Sequence, residues 1–167
     1  MAVFDYREGR LYAEDVPIDK IAQQVQTPVY CYSASALREN YQSYTEQFKP
    51  ANSLICFAVK ANSNQAIIRA LGKMGAGADV VSEGELRRAL LAGIPASKIV
   101  YSGVAKTPGE MRFALRQDIR QFNVESEPEL ELLNQVAIAE GKQAPVAFRI
   151  NPDIDARTHE KISTGKA

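Results

Sequence analysis

The chain is short of several things, and each shortage narrows what it can do. It has no net charge, because 20 Lys and Arg balance 20 Asp and Glu in 167 residues. That argues against general nucleic-acid affinity, which rests on an excess of cations over phosphates. Cysteine is scarce, with only Cys31 and Cys56, and His159 is the single histidine. With no CxxC pair and no Cys/His cluster, neither a disulfide framework nor a metal site is expected, and a reducing compartment fits. Long apolar runs are missing as well. The longest strongly apolar one, residues 54–59, is far below the roughly 20 residues a bilayer span needs. Asp5, Arg7 and Glu8 fall where a signal peptide would place its apolar stretch. The expectation is a cytoplasmic globular protein with no metal, no membrane partner and no nucleic-acid partner.

What is present is an ordinary globular balance, 46% hydrophobic and 24% charged. Residues 4–13 read as a hairpin turning at Gly9, and 17–26 as a short amphipathic helix opened by Pro17. Residues 28–32 (PVYCY) read as a strand. Ser33 or Ser35 then caps a helix reaching about Phe48. Beyond Asn52 a rhythm sets in. Short apolar runs begin at 54, 78, 99, 121 and 146, at intervals of 21 to 25 residues. The gaps hold helical patterns at 65–74, 83–92, 108–117 and 127–140. Strands alternating with helices at this period predict βα units and a parallel sheet.

Two architectures accept five such units, an open doubly wound sheet and part of an eight-fold barrel. The dinucleotide-binding version of the first carries GxGxxG after its first strand. Here that strand ends in Lys60-Ala61-Asn62, without glycine, which favours the barrel. A whole barrel takes roughly 250 residues, so the chain is expected to be part of a longer polypeptide. By itself it is expected to be inactive and prone to aggregate, since two parallel edges would lie open.

Side chains alternate along a strand. Alternation groups Lys60 with Cys56 and Ala58, Asp79 with Val81, Ser102 with Val100, Asn123 with Glu125, and Arg149 with Ala147. Every strand thus offers a polar residue near its C-terminal end, the rim where barrel enzymes build active sites. Lys60 is the sharpest case. A lysine closing an apolar strand is costly unless its amine is paired, and a partly desolvated amine attacks carbonyls to give a Schiff base. The plainer alternative is a lysine that snorkels to solvent. For Asp79 and Arg149 the alternative is a structural ion pair. For His159 it is a solvated surface histidine, for Cys56 core filling, and for Arg87-Arg88 a solvated helix face. Ser126 reads as a helix cap, leaving Glu125 as a rim residue.

The motifs also carry a resemblance. Phe57-Ala58-Val59-Lys60-Ala61-Asn62 resembles the cofactor-lysine motif of the fold-type III pyridoxal-phosphate decarboxylases. Gly77-Ala78-Asp79-Val80-Val81-Ser82-Glu83-Gly84-Glu85-Leu86, Phe122-Asn123-Val124-Glu125-Ser126 and Arg149-Ile150-Asn151-Pro152-Asp153 are similar to further segments of that family, in its order. Residues 158–165 (THEKISTG) resemble the active-site loop that narrows the substrate to diaminopimelate rather than ornithine or arginine. The resemblance implies the (β/α)8 TIM barrel of the alanine racemase-like type. About five βα units would lie within residues 31–167, and residues 1–30 would belong to or pack on a β-rich second domain.

It further implies a homodimer, pyridoxal 5'-phosphate as cofactor, and removal of carbon dioxide from meso-2,6-diaminopimelate to give L-lysine. Lys60 and His159 would be catalytic. Lys60, Asp79, Ser82 and Arg149 would bind the cofactor, and Ser163 and Thr164 would belong to the substrate loop. The family's ring-stacking histidine, glycine-rich phosphate segment, pyridine-nitrogen carboxylate and partner-subunit cysteine motif have no counterparts in these residues. The alternatives are a related decarboxylase of ornithine, arginine or a carboxylated polyamine, and a non-catalytic barrel that regulates or carries cofactor.

Overall fold

The computed structural model describes residues 3–152. The chain opens with the expected hairpin. β1 (Phe4–Arg7) runs antiparallel to β2 (Arg10–Ala13), and β3 (Val16–Pro17) adds to β2. The two-residue turn holds Glu8 at φ 52° and Gly9 at φ 79°. Positive φ at both positions matches the twist of the flanking strands, and glycine accepts it without strain. α1 (Ile18–Val25) follows. Arg10 grips Asp19 with a two-pronged ion pair, 2.7 Å at its shortest, which ties α1 to the hairpin.

Residues 28–32 do not form the expected strand. They follow a cis Thr27–Pro28 bond, and Tyr30 and Tyr32 are exposed and stacked on each other. The β-branched and aromatic composition suits a strand, but no described strand pairs with the segment. Helix α2 (Ala34–Phe48) starts next, with Ser33 Oγ accepting the Ala36 N–H at 3.0 Å. The Glu14 carboxylate accepts from Ser33 Oγ at 2.6 Å and from the Ser35 N–H at 3.0 Å, joining the N-terminal sheet to α2.

Five parallel strands then alternate with four helices. They are β4 (Cys56–Ala58), α3 (Gln65–Lys73), β5 (Gly77–Val80), α4 (Glu83–Leu91), β6 (Ile99–Tyr101), α5 (Pro108–Arg116), β7 (Gln121–Val124), α6 (Glu127–Glu140) and β8 (Val146–Phe148). The strand order is β4-β5-β6-β7-β8, every pair parallel. A doubly wound sheet reverses its order at a switch point. This one follows the chain without reversal, as consecutive barrel units do. The outer strands β4 and β8 each have one partner among the described residues.

The core lies between the sheet and its helices. Ala78, Val80, Tyr101, Phe122 and Val124 face Ile68, Leu86, Met111 and Leu133 in one cluster. Tyr101 and Phe122 stack at 6.1 Å between centroids and are fully buried. Each such side chain contributes about 1.5–3 kcal/mol by leaving water. β5 starts with a glycine for a packing reason. A Cβ on Gly77 would collide with the Lys98 carbonyl and the Cys56 sulfur. No helix among the described residues is long and apolar enough to cross a membrane.

Candidate active site

With one face of the sheet covered by helices, the other carries the polar residues at its C-terminal end. Lys60, Asp79, Ser102, Asn123, Glu125 and Arg149 line one cleft of about 460 Å³, a size typical of small-ligand sites. A larger hollow of about 580 Å³ lies between the C-terminal half of α6 and β8, lined by groups such as Leu130, Ala137, Pro145 and Val146. It lacks the convergence of titratable groups that chemistry needs, and reads as an open packing seam. The rim cleft is therefore the candidate site.

Hydrogen bonds run along the rim in one direction. Gln121 Nε2 donates to Asn123 Oδ1 at 2.9 Å, Asn123 Nδ2 donates to Ser102 Oγ at 2.9 Å, and Ser102 Oγ donates to Asp79 Oδ1 at 2.5 Å. The carboxylate ends the chain because it can only accept. Asp79 is thereby held in one orientation by side chains from the next two strands. A second group lies beside the first. Glu125 accepts from the Gly103 N–H at 2.8 Å and from Arg149 Nη1 at 2.7 Å. Its side chain is 8% exposed, against 49% for Arg149. The buried carboxylate fixes the guanidinium, which lines the cleft.

Lys60 reaches this cleft by a different route from strict alternation. β4 ends at Ala58, and Val59–Ala61 form a 3₁₀ turn that buries Val59 and leaves Lys60 exposed. Of the two readings of Lys60, the described residues show the one in which the side chain reaches solvent, here from a turn rather than a strand end. Its amine joins neither rim network. Cys56 behaves as a packing group. Burial, then the nearby Asp79, pushes its thiol pKa up, so it stays protonated.

Ser82 is not among the residues lining the cleft. Its Oγ accepts the Glu85 N–H at 3.2 Å and caps α4. Ser126 caps α6 in the same way, as expected, accepting from Glu129 N. His159, Ser163 and Thr164 lie outside the described residues. Sequence reasoning missed two features. Phe148 also lines the cleft, although alternation placed it opposite Arg149. The other is a buried pair, Lys106 with Glu129, joined at 2.6 Å with side chains 1% and 8% exposed. Ser126-x-x-Glu129 has the spacing of a capping box, which should have drawn attention to Glu129. Nothing local marks Lys106.

Residues 34–167 match the family model described as pyridoxal-dependent decarboxylase, pyridoxal binding domain. The chain belongs to the pyridoxal-dependent decarboxylases. This pyridoxal-binding domain is 53% identical over 170 residues to the diaminopimelate decarboxylase of Zymomonas mobilis subsp. mobilis, covering 100% of this chain and 40% of that protein. Against the crystal structure of diaminopimelate decarboxylase from M. jannaschii in complex with L-lysine, the TM-score is 0.89 at 41% identity. That match covers 98% of this chain and 39% of the other. A lysine/ornithine decarboxylase of Vibrio vulnificus, solved with cadaverine, shares the fold at a TM-score of 0.70 and 21% identity, over 80% of this chain and 35% of that one. The chain thus spans about 40% of the length of the curated relatives it matches. Its parallel βα units are the N-terminal part of the fold-type III barrel, with the small antiparallel sheet standing before them.

The residues present fit a pyridoxal cofactor on chemical grounds. An aldehyde needs an amine, and Lys60 offers one that neither rim network engages. A ring bearing an anionic oxygen needs a fixed cation at its edge, and Arg149 is fixed by Glu125.

Proposed function

We propose that this chain forms the cofactor-binding part of a carboxy-lyase that converts meso-2,6-diaminopimelate to L-lysine and carbon dioxide. The single observation that carries the reading is the convergence of Lys60, Asp79, Ser102, Asn123, Glu125 and Arg149 in one rim cleft. The relatives named diaminopimelate decarboxylase support the substrate.

Pyridoxal phosphate, when bound, supplies an electron sink for the pair left behind as carbon dioxide departs. The chain's own residues hold and orient. Lys60 would hold the aldehyde carbon through its amine, and its exposure would leave that amine open to exchange with a substrate amine. Asp79 lines the same cleft as Lys60 and would orient the ring or the amine there, and the Ser102 and Asn123 bonds hold its carboxylate in place. Arg149 would hold the ring's oxygen, with Glu125 balancing its charge. Electrostatic orientation of this kind costs no reorganisation during reaction.

Ser82 caps α4, and its role toward the cofactor is assigned on sequence resemblance. We assign catalysis to His159, and substrate contact to Ser163 and Thr164, on sequence resemblance alone. Residues 1–30 are assigned to a second, β-rich domain, the protein to a homodimer, and its location to the cytoplasm, where free Cys31 and Cys56 persist as thiols.

The test uses the full-length protein. Carbon dioxide release is measured with meso-diaminopimelate, ornithine, arginine and a carboxylated polyamine, each after pyridoxal phosphate is added. Release from meso-diaminopimelate at a kcat/KM far above the others is expected. Preference for another amine moves the protein to a sister activity. No release from any of them leaves a non-catalytic barrel.

A further inference from the structure

Lys106 is the most deeply buried charge in the described residues, and the mechanism above does not use it. Its side chain is 1% exposed. The ammonium spends each of its N–H donors on a different element. It donates to the Gly103 carbonyl in the β6–α5 loop at 2.7 Å, to the Asn123 carbonyl at the end of β7 at 2.8 Å, and to Glu129 Oε1 on α6 at 2.6 Å. The same nitrogen lies 5.8 Å from the centroid of the Tyr101 ring. A buried lysine is tolerated when its donors are all taken, and removing one partner of such a pair is costly.

The partners form a closed circuit. Glu129 Oε2, the oxygen not used by Lys106, accepts the Glu125 N–H at 3.2 Å. The Glu125 carboxylate accepts the Gly103 N–H and holds Arg149. The Gly103 carbonyl returns to Lys106. Gly103 sits at φ 102°, with a Cβ position 3.3 Å from Val81, so only glycine turns the loop here. One ammonium therefore fixes both peptide groups that carry the rim side chains Asn123 and Glu125. Through Glu125 it fixes Arg149.

We propose that Lys106 is a positioning residue for the cofactor site, acting through Glu129, Glu125 and Gly103 on Arg149 and Asn123. The inference rests on the functional reading above and deepens it. It separates affinity for the cofactor from the stability of the fold, and that separation is what a test can read.

The full-length protein is compared with Lys106→Met and with Lys106→Met/Glu129→Leu, in which an apolar pair replaces the ions. Replacing both partners of a buried pair restores fold stability where removing one does not. Pyridoxal phosphate affinity is measured by absorbance titration, the asymmetry of the bound chromophore by visible circular dichroism, and the fold by thermal melting. The expected result is a dissociation constant raised at least tenfold in both variants, with a changed visible dichroism band. In the double variant the melting temperature returns toward that of the parent. If the double variant regains both stability and cofactor affinity, Lys106 is structural only and the proposal is overturned. If the parent fails to bind pyridoxal phosphate at all, the functional reading falls and takes this inference with it.

Discussion

Asp79 shows how little freedom the site leaves a single side chain. Its Oδ1 is claimed by Ser102, whose own oxygen is claimed by Asn123, which is in turn anchored by Gln121. Ser102→Ala removes a donor from Asp79 and an acceptor from Asn123 together. Only the bond to Asp79 bears on the cofactor directly; at about 0.5–1.5 kcal/mol for that one hydrogen bond, the full-length variant is expected to bind pyridoxal phosphate about 2- to 12-fold more weakly, checked by absorbance titration. Unchanged affinity would mean that Asp79 needs no steering. Lys60 lies at the limit of what alternation can tell. Its arrival at the rim and its exposure to solvent were both among the readings the strand ends allowed, but its turn was not legible. A 3₁₀ turn at Val59–Ala61 breaks the two-residue period, and how deeply a lysine is desolvated depends on walls that distant residues build. The same holds for Lys106, whose acceptors come from three separate elements.

At the scale of elements, three of the four described βα junctions share one device, the exception being α3, capped by Asn64. Ser82, Thr107 and Ser126 each cap a helix, and a glutamate three residues on reaches back. Glu110 closes a true capping box on Thr107, while Glu85 and Glu129 reach one residue further, to the Val81 and Glu125 N–H groups. Glu110 also accepts the Glu83 N–H, linking the starts of α4 and α5. These caps pin the loops that carry the rim. Because they are local, the helix bounds were legible in sequence, 127–140 to the residue. The strand expected at 28–32 was not legible as an unpaired segment, since a strand exists only with a neighbour.

The helices also predict acid behaviour. The Glu140 carboxyl is held below its ordinary value of 4.5, first by the hydrogen bond from Arg116, with Arg112 adding to it. Glu110 is also lowered. Burial pushes it up, but the Thr107 and Glu83 N–H bonds outweigh that. Groups of this kind stabilise the fold fully above the unfolded glutamate pKa, and the contribution fades as pH falls through the lower folded value. Chemical denaturation of the full-length protein between pH 7 and 3 is therefore expected to show stability falling below about pH 4.5. Glu140→Gln flattens that slope and costs stability mainly above it. An acid limb unchanged by the substitution would rule out this contribution.

For the molecule as a whole, the decisive fact is that the five described parallel strands leave two edges open. Among the described residues β4 and β8 each pair on one side only, and Val146 and Phe148 of β8 and the following Ile150 are exposed. Open parallel edges and exposed apolar groups invite association. The 167-residue chain produced alone is expected to sediment as large aggregates, while the full-length protein forms a discrete species. A stable, monodisperse short chain would show that these edges are protected. Barrel membership was legible because the period of 21 to 25 residues and the missing GxGxxG are global features of the sequence. The cleft's hydrogen-bond directions needed the strand register.

The most direct measurement concerns the anchor. The full-length protein is loaded with pyridoxal phosphate, reduced with borohydride, digested and analysed by mass. The account predicts the pyridoxyl phosphate mass on the peptide containing Lys60, and its loss in Lys60→Ala. The label on another lysine, or no label at all, would contradict it.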